Sequence, residues 1–215
     1  SKVQYLFTMG KGGVGKTTVA TQLATVLSNK GYRVLLATTD PTKEINVETT
    51  SNLNTAYIDE EQALEKYKKE VLATVNDDTP QDDIDYIMED LKSPCTEEIA
   101  FFKAFSDIME NQEDMDYVIV DTAPTGHTLL LLDSSENHHR ELKKKSTQTT
   151  SNVETLLPKI QNKNLTQMII VTLAEKTPYL ESKRLVEDLN RANIGHNWWV
   201  VNQSLVTLNQ RDDLF

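Results

Sequence analysis

The sequence predicts an α/β fold with a mostly parallel sheet flanked by helices. The apolar run "VQYLFTM" (3–9) ends at glycines, which is typical of a buried strand. A helical pattern begins at Thr17, and "RVLLATTD" (33–40) is the next apolar run. A strand, a glycine loop, a helix and a second strand in this order predict a βαβ unit, whose two strands lie parallel.

The first predicted helix carries an apolar stripe. Four residues recur at the spacing of one helical face, and we expect all of them to pack inward: Val19, Leu23, Val26 and Leu27. Gly31 is expected to end this helix, because glycine readily adopts the left-handed conformation of a C-terminal cap.

The next part of the chain is more polar. Residues 41–58 show little periodicity and are interpreted as a mobile loop. Residues 59–92 are rich in Glu, Asp and Lys at helical spacing, which predicts helices packed on the main domain. An amphipathic helix is predicted at 96–111, so that a helical segment covers about 59–112. Four of its apolar residues are expected to face inward: Ile99, Phe102, Phe105 and Ile108.

The second half of the chain returns to apolar runs. "YVIVDTAP" (117–124) predicts a strand that ends in an acid, and "QMIIVTL" (167–173) and "WWVVNQS" (198–204) predict two more. A helix is predicted at 180–192. Residues 146–166 are rich in Thr, Asn and Gln and are interpreted as a flexible loop.

Length and composition restrict the function. The 215 residues suit a single domain, 1–215, and its end just after a predicted strand indicates a piece of a longer protein. The net charge of −11 disfavours non-specific binding to nucleic acid or to an anionic membrane. One cysteine, Cys95, cannot form an intrachain disulfide, which favours a cytoplasmic protein. No run approaches the ~20 apolar residues of a membrane-spanning helix, and no signal-peptide pattern is present. We therefore expect it to serve a membrane only through a partner.

A phosphate-binding loop follows the first predicted strand. Gly10, Gly15, Lys16 and Thr17 fit the pattern G-x-x-x-x-G-K-[ST] of P-loop nucleotide hydrolases. Glycines let backbone N–H groups turn toward phosphates, and the helix N-terminus adds its positive dipole. Lys16 is expected to reach the β- and γ-phosphates of a nucleotide, and the Thr17 hydroxyl to bind Mg²⁺. The whole loop is expected to hold the nucleotide: Gly10, Lys11, Gly12, Gly13, Val14, Gly15, Lys16, Thr17 and Thr18.

The other lysine of this loop, Lys11, needs a separate explanation. Lys11 directly follows Gly10, too close to the base of the loop to repeat the role of Lys16. In a face-to-face dimer it could reach across to the nucleotide of the other half and act as an arginine finger does. The alternative is a lysine that is simply solvated.

Polar residues end three of the predicted strands. Asp121 is assigned to Mg²⁺, through water, and Asp40 to orienting the attacking water, because ligands bind at the carboxyl ends of parallel strands. The alternative for both acids is a helix cap or a turn. Asn202 carries an amide that can donate to and accept from adenine, and its alternative is a turn asparagine.

The loop "GKGGVGKTT" resembles the deviant Walker A motif of the MinD/ParA/ArsA class of ATPases, in which the lysine at position 11 is the signature lysine. This resemblance implies ATP-dependent dimerisation, or the pairing of two homologous halves. "TTDP" resembles the first switch of the ArsA family, and "DTAPTGHT" (121–128) resembles the second. The family likeness implies that Gly126 is a hinge or a γ-phosphate contact, and that Asn202 contacts adenine.

Three further stretches look like the second nucleotide-binding half of ArsA-type arsenical pump-driving ATPases: "LKSPCTEEIAFFKAF" (91–105), "DTAPTGHTLLLLD" (121–133) and "HHREL" (138–142). The resemblance implies that MgATP hydrolysis is coupled to arsenite or antimonite extrusion. The implied partners are a second ATPase half or a second copy, and a membrane arsenite efflux protein. The implied location is the cytoplasm, at the inner face of the plasma membrane through that partner.

The same resemblance implies a metalloid site within the helical segment at 59–112. Cys95, Ser93 and His139 match the family's ligands for trivalent arsenic or antimony, with His138 as the neighbouring alternative. These metalloids are thiophilic, so a thiolate is a natural ligand. A single thiol is a poor site, and other thiols must come from a second half or copy.

Two rival functions remain within the class. A tail-anchored-protein targeting ATPase shares the loop and both switches, but it typically carries a C-x-x-C zinc pair and a methionine-rich insert. This sequence has no C-x-x-C, and its five methionines are scattered. A ParA- or MinD-type positioning ATPase is the second rival, and the acidic charge disfavours the DNA-binding face that ParA needs.

Overall fold

The sheet of this protein is parallel, as the sequence predicts. The computed structural model describes residues 4–38, 51–76, 79–110, 112, 114–121, 158–196 and 198–204. In this part of the chain six strands form one sheet in the order β3-β2-β4-β1-β5-β6, and every neighbouring pair is parallel. The elements are β1 (Gln4–Met9), α1 (Lys16–Asn29), β2 (Val34–Thr38), β3 (Leu53–Tyr57), α2 (Glu60–Leu72), α3 (Gln81–Asp90), α4 (Pro94–Glu110), β4 (Tyr117–Asp121), β5 (Thr166–Leu173), α5 (Lys176–Arg191) and β6 (Trp198–Asn202).

Successive side chains along each strand point to opposite faces of the sheet, and each face packs in its own apolar layer. On one face, α1 covers Leu36 and Ile119. On the other face, Phe7 of β1 meets Phe105 of α4 edge to face, with ring centroids 5.1 Å apart. Residues of α5 such as Leu189 belong to this second layer. The sheet is thus covered on both faces, which is the usual situation of a parallel sheet.

The apolar stripe of α1 differs from the predicted one at Val26. This side chain is 50% exposed, whereas Ala20 and Ala24 are fully buried. Val26 lies about 200° around the helix from Ala24, because each residue turns an α-helix by about 100°. Alanines on the inner face let the helix approach the sheet closely. The predicted end of the helix is confirmed: Gly31 has φ +89° and donates its N–H to the Ser28 carbonyl.

The prediction of a loop over 41–58 is wrong for its last part. Residues Leu53–Tyr57 form β3, an edge strand that pairs with β2 from Val34↔Leu53 to Thr38↔Tyr57. Leu53 is buried, but most of the strand is exposed, so the apolar alternation that marks a half-buried strand is missing. Backbone pairing with β2 defines this strand instead. Residues 41–50 lie outside the described residues.

The predicted loop over 146–166 also contains order where the structure describes it. Residues 158–161 form a helical turn, and Ile160 is fully buried in the core layer below α4 and α5. One apolar side chain in a polar stretch gives no periodicity, so the sequence pattern could not reveal it. Residues 146–157 lie outside the described part of the chain.

The helical segment predicted at 59–112 is confirmed as α2, α3 and α4. Helix α2 packs against α4, with Lys66 Nζ 3.0 Å from Asp107 Oδ2 and a second ion pair between Lys103 and Glu70. Phe105 is buried and Ile108 packs against the same core, as expected. The segment is therefore tied to the sheet through α4. No described helix is both long and apolar enough to cross a membrane.

Candidate phosphate-binding site

The glycine loop lies at the carboxyl ends of the strands, between β1 and α1. Gly10 packs so closely on β5 that a Cβ there would lie 2.1 Å from the Val171 carbonyl oxygen. Gly15 has φ +93° and begins α1 as its N-cap, in a conformation that strongly favours glycine. The loop is thus shaped by its glycines into a close turn against the sheet.

Val14 anchors this loop in the protein interior. Its side chain is fully buried and belongs to one apolar cluster with Ile169 and Val171 of β5. Val19 and Leu23 of α1 pack against the same cluster. The loop therefore has a rigid inner side, and its backbone is held in place before any phosphate binds.

Asn202 supports the loop from the end of β6. Its Nδ2 donates to the Val14 carbonyl at 2.9 Å, and its Oδ1 accepts from the Gln203 N–H at 3.0 Å. A Cβ on Gly15 would lie 2.2 Å from Asn202 Nδ2, so the amide lies directly behind that glycine. The sequence predicted an adenine contact for Asn202, which stays a prediction. The contact with the loop was not foreseen.

The Lys16 side chain lies against the loop, and its predicted contact with the β- and γ-phosphates stays a prediction. Its Nζ donates to the carbonyl oxygens of Gly10 and Lys11, each at 3.1 Å. The first turn of α1 contains no acidic residue, and Gly15 has no side chain to cap it. The positive end of the helix dipole and the Lys16 ammonium therefore lie at the same loop, which favours the binding of an anion there.

Lys11 points to a different place from Lys16. Its Nζ lies 3.2 Å from Glu181 Oε1 on α5, and both side chains are partly exposed. The sequence suggested that Lys11 could reach a facing half of a dimer, which stays a prediction. Glu181 was missed, because an exposed glutamate on an amphipathic helix gives no sequence signal.

Asp121 ends β4 beside the end of β2. The two strands pair so that Thr38 lies opposite Asp121, and the Thr38 hydroxyl donates to Asp121 Oδ2 at a long 3.5 Å. Both side chains are buried. Within the described residues this is a long contact to a buried carboxylate, and a carboxylate has further oxygen lone pairs that can bind a cation or its water. Thr38 was not singled out from the sequence, although its position in "TTDP" was a usable signal.

Oxygen ligands at this edge of the sheet fit Mg²⁺, which prefers hard oxygen ligands and keeps several of its waters. Asp121 and the hydroxyl of Thr17, at the second position of α1, supply such oxygens. The glycine cradle and Lys16 fit a polyphosphate. The described residues therefore fit a magnesium–nucleotide complex.

Several predicted site residues lie outside the described part of the chain: Asp40, Gly126, His138 and His139. Cys95 is the second residue of α4, but its thiol is outside the described atoms. Ser93 directly precedes α4, where its carbonyl accepts from the Thr96 N–H at 3.0 Å. Among the described residues there is no group of three or more His, Cys, Asp or Glu side chains placed to hold a metal. The metalloid ligands therefore stay a prediction.

The family model and the similar proteins found by comparison agree on one family. The family model described as "Anion-transporting ATPase" matches residues 3–157 and 134–214. An "Arsenical pump-driving ATPase" of Escherichia coli is 42% identical over 201 residues, which are 92% of this chain and 34% of that protein. A "Putative arsenical pump-driving ATPase 2" of Aquifex aeolicus is 32% identical over 242 residues, covering 94% of this chain and 81% of that protein.

A more distant similarity involves a differently named protein. An "ATPase GET3" of Komagataella phaffii is 27% identical over 252 residues, covering 94% of this chain and 73% of that protein. The chain spans about a third of the length of the first arsenical pump relatives that it matches, with shares of 34% and 36%.

Proposed function

The chain belongs to the ArsA family of anion-transporting ATPases, and from that premise we propose that it binds and hydrolyses MgATP at residues 10–18. One observation carries this proposal. The glycine loop is held rigidly between β1 and α1, with Lys16 folded over it at 3.1 Å from two loop carbonyls. This is the arrangement that a triphosphate requires, because fixed N–H groups and one ammonium neutralise its charge.

Each further residue has a defined role in the proposal. Bound Mg²⁺ would neutralise charge on the β- and γ-phosphates, and the Thr17 hydroxyl would hold it, with Asp121 acting through water. Asp40 orients the attacking water, and Gly126 contacts the γ-phosphate or serves as a hinge. Asn202 contacts adenine. Support for the magnesium site comes from the buried Asp121 carboxylate at the carboxyl end of β4.

The proposed catalytic unit has two halves, either a second ATPase half of a longer chain or a second copy. Lys11 would then reach the nucleotide of the facing half. In the present structure its ammonium is paired with Glu181 at 3.2 Å. Since the pair is partly exposed, it is weak enough to exchange for a phosphate, which carries more charge. Lys11 would thus change partners when the halves close.

The proposed effector is trivalent arsenic or antimony, bound by Cys95, Ser93 and His139. Curated relatives named "Arsenical pump-driving ATPase" are 41% to 42% identical to this chain, which favours this effector. A metalloid that binds both halves would favour the closed state and so raise hydrolysis. The driven partner would be a membrane arsenite efflux protein, with the ATPase held at the inner face of the membrane.

The test is the steady-state ATPase activity of the full-length protein, with and without antimonite. We expect stimulation in the wild type, its loss in Cys95→Ser, and no hydrolysis in Lys16→Ala. Hydrolysis that is absent from the wild type in MgATP would contradict the ATPase itself. Hydrolysis that ignores antimonite would contradict only the metalloid role.

The alternative function is targeting of tail-anchored membrane proteins. The observation that favours it is the 27% identity to an "ATPase GET3". The discriminating measurement is capture of a purified protein with a C-terminal membrane helix by the full-length ATPase. Capture without any response to antimonite would favour this alternative, and the reverse result would exclude it.

A further inference from the structure

Asn202 makes a contact with the phosphate loop that a base-reading residue does not need. Its Nδ2 donates to the Val14 carbonyl at 2.9 Å, across the gap between β6 and the loop. Val14 is fully buried, so this carbonyl belongs to the anchored inner side of the loop. The hydrogen bond therefore connects the end of β6 to the buried side of the phosphate cradle.

The local backbone fixes the orientation of this amide. Asn202 Oδ1 accepts from the Gln203 N–H at 3.0 Å, which leaves the Nδ2 end directed at Val14. Gln203 has φ +53°, a left-handed conformation that is uncommon for a residue with a side chain. The chain thus turns sharply after β6, and that turn holds the amide in one orientation.

Packing behind Gly15 makes the contact more specific. A Cβ on Gly15 would lie 2.2 Å from Asn202 Nδ2, so the amide fills the space directly behind the N-cap of α1. On the other side of the loop, Gly10 is in equally close contact with the Val171 carbonyl. The ends of β5 and β6 therefore form a common support for the two glycines that frame the loop.

We propose that Asn202 is a positioning residue for the phosphate loop, which it holds in its binding shape through Val14 and Gly15. The proposal deepens the ATPase function and rests on it, because it concerns the loop that would bind the phosphates. It assigns Asn202 an effect on the triphosphate that is independent of the base. An adenine contact alone would affect only ligands that carry a base.

The experiment compares MgATP with magnesium tripolyphosphate, which has the phosphates and no base, by titration calorimetry on the full-length protein. We expect Asn202→Ala to weaken tripolyphosphate binding by a factor of about 3 to 10, the loss of one backbone-directed hydrogen bond. MgATP binding should weaken by at least the same factor, because the proposed adenine contact is lost as well. Weakening of MgATP with unchanged tripolyphosphate binding would overturn the proposal in favour of a base contact. Unchanged binding of both would overturn it as well.

Two controls separate these outcomes from misfolding and from failure of the ATPase function. Val201→Thr alters an exposed side chain of the same strand, 48% exposed, and leaves the Asn202 amide and its turn intact, so both affinities should stay unchanged. If Asn202→Ala does not fold, Asn202→Ser, which keeps a small polar group, replaces it. A weaker tripolyphosphate affinity in this variant would support the proposal, and an unchanged affinity would contradict it. Wild-type protein that binds neither ligand would contradict the proposed function, whereas wild-type binding with an unaffected variant would contradict only the role of Asn202.

Discussion

Lys11 Nζ lies 3.2 Å from Glu181 Oε1, so the second lysine of the phosphate loop is paired with α5 of its own chain. This pair links the loop after β1 to the helix after β5. A lysine that acts on a facing nucleotide has to leave this glutamate first. The Glu181 carboxylate and the phosphates of a facing nucleotide would therefore compete for the Lys11 ammonium, and this competition can be measured.

Glu181→Gln is expected to release Lys11 and to strengthen MgATP-dependent association of the ATPase halves by about two- to fivefold, the range expected from loss of one exposed ion pair. Sedimentation velocity of the full-length protein in MgATP measures this association. Lys11→Ala in the same background should remove the gain. Glu187→Gln, which removes one exposed charge from the same helix, is the control and should behave as the wild type. An equal gain in both glutamine variants would show a general charge effect instead.

Gly15→Ala is expected to abolish phosphate binding and to lower the free energy of unfolding by roughly 1–3 kcal/mol, because φ +93° is strained for alanine. Its Cβ would also collide with Asn202 Nδ2, at 2.2 Å. Urea denaturation and calorimetric titration with MgATP measure the two effects. Gly12→Ala is the matched control for the stability measurement, since a Cβ there meets nothing within 4 Å. A Gly12 variant as unstable as the Gly15 variant would refute this account of the loop.

Phe105→Ala is expected to lower the free energy of unfolding by about 3–5 kcal/mol, since it removes a fully buried ring and its contact with Phe7. Guanidinium denaturation followed by circular dichroism measures the change. Tyr86 of α3 is 54% exposed, and Tyr86→Ala should stay within about 0.5 kcal/mol of the wild type. A similar loss in both variants would mean that α4 does not carry the link to the sheet.

Asp116 gives the protein a pH-dependent contribution to stability. The Arg33 N–H donates to Asp116 Oδ2 at 2.8 Å and, with the nearby guanidinium, lowers the pKa of this carboxyl. A folded-state pKa below the unfolded value of about 3.9 stabilises the fold above that pH, and the contribution is lost as the pH falls through the folded-state value.

Asp116→Asn should therefore be less stable than the wild type at pH 7, with a difference that shrinks below about pH 4. Urea denaturation across this pH range measures it. Asp114→Asn is the control, because that side chain is 96% exposed and 4.0 Å from Arg33. A difference for Asp116→Asn that stays constant down to pH 2 would exclude the charge as its cause.

The order of elements and the phosphate loop followed from the sequence because their signals are local. β1, β2, β4 and β5 each contain an apolar run. Such a run predicts a buried strand without any knowledge of which strands lie beside it. Gly10, Gly15, Lys16 and Thr17 lie within one short stretch, so their spacing alone indicates a phosphate site. Gly31 likewise predicted the end of α1, because it directly follows the helical pattern in the sequence.

Other features were invisible because their cause lies far along the chain. β3 exists through backbone pairing with β2, and the buried position of Ile160 depends on packing against the core layer below α4 and α5. The exposure of Val26 depends on which face of α1 packs on the sheet, and Ala20 and Ala24 of the same helix bring the opposite face onto it. Hydrophobic periodicity carries no information about any of these neighbours.

The sequence by itself determined a parallel α/β fold, the position of its glycine loop and the acid at the end of β4. Only the tertiary structure decided that Lys11 pairs with Glu181, that Thr38 lies beside Asp121 and that Asn202 holds Val14 from a distance of 188 residues along the chain. The physical reason is that strand order and register determine which strand ends become neighbours. Those neighbours then determine which side chains can form a hydrogen bond or an ion pair.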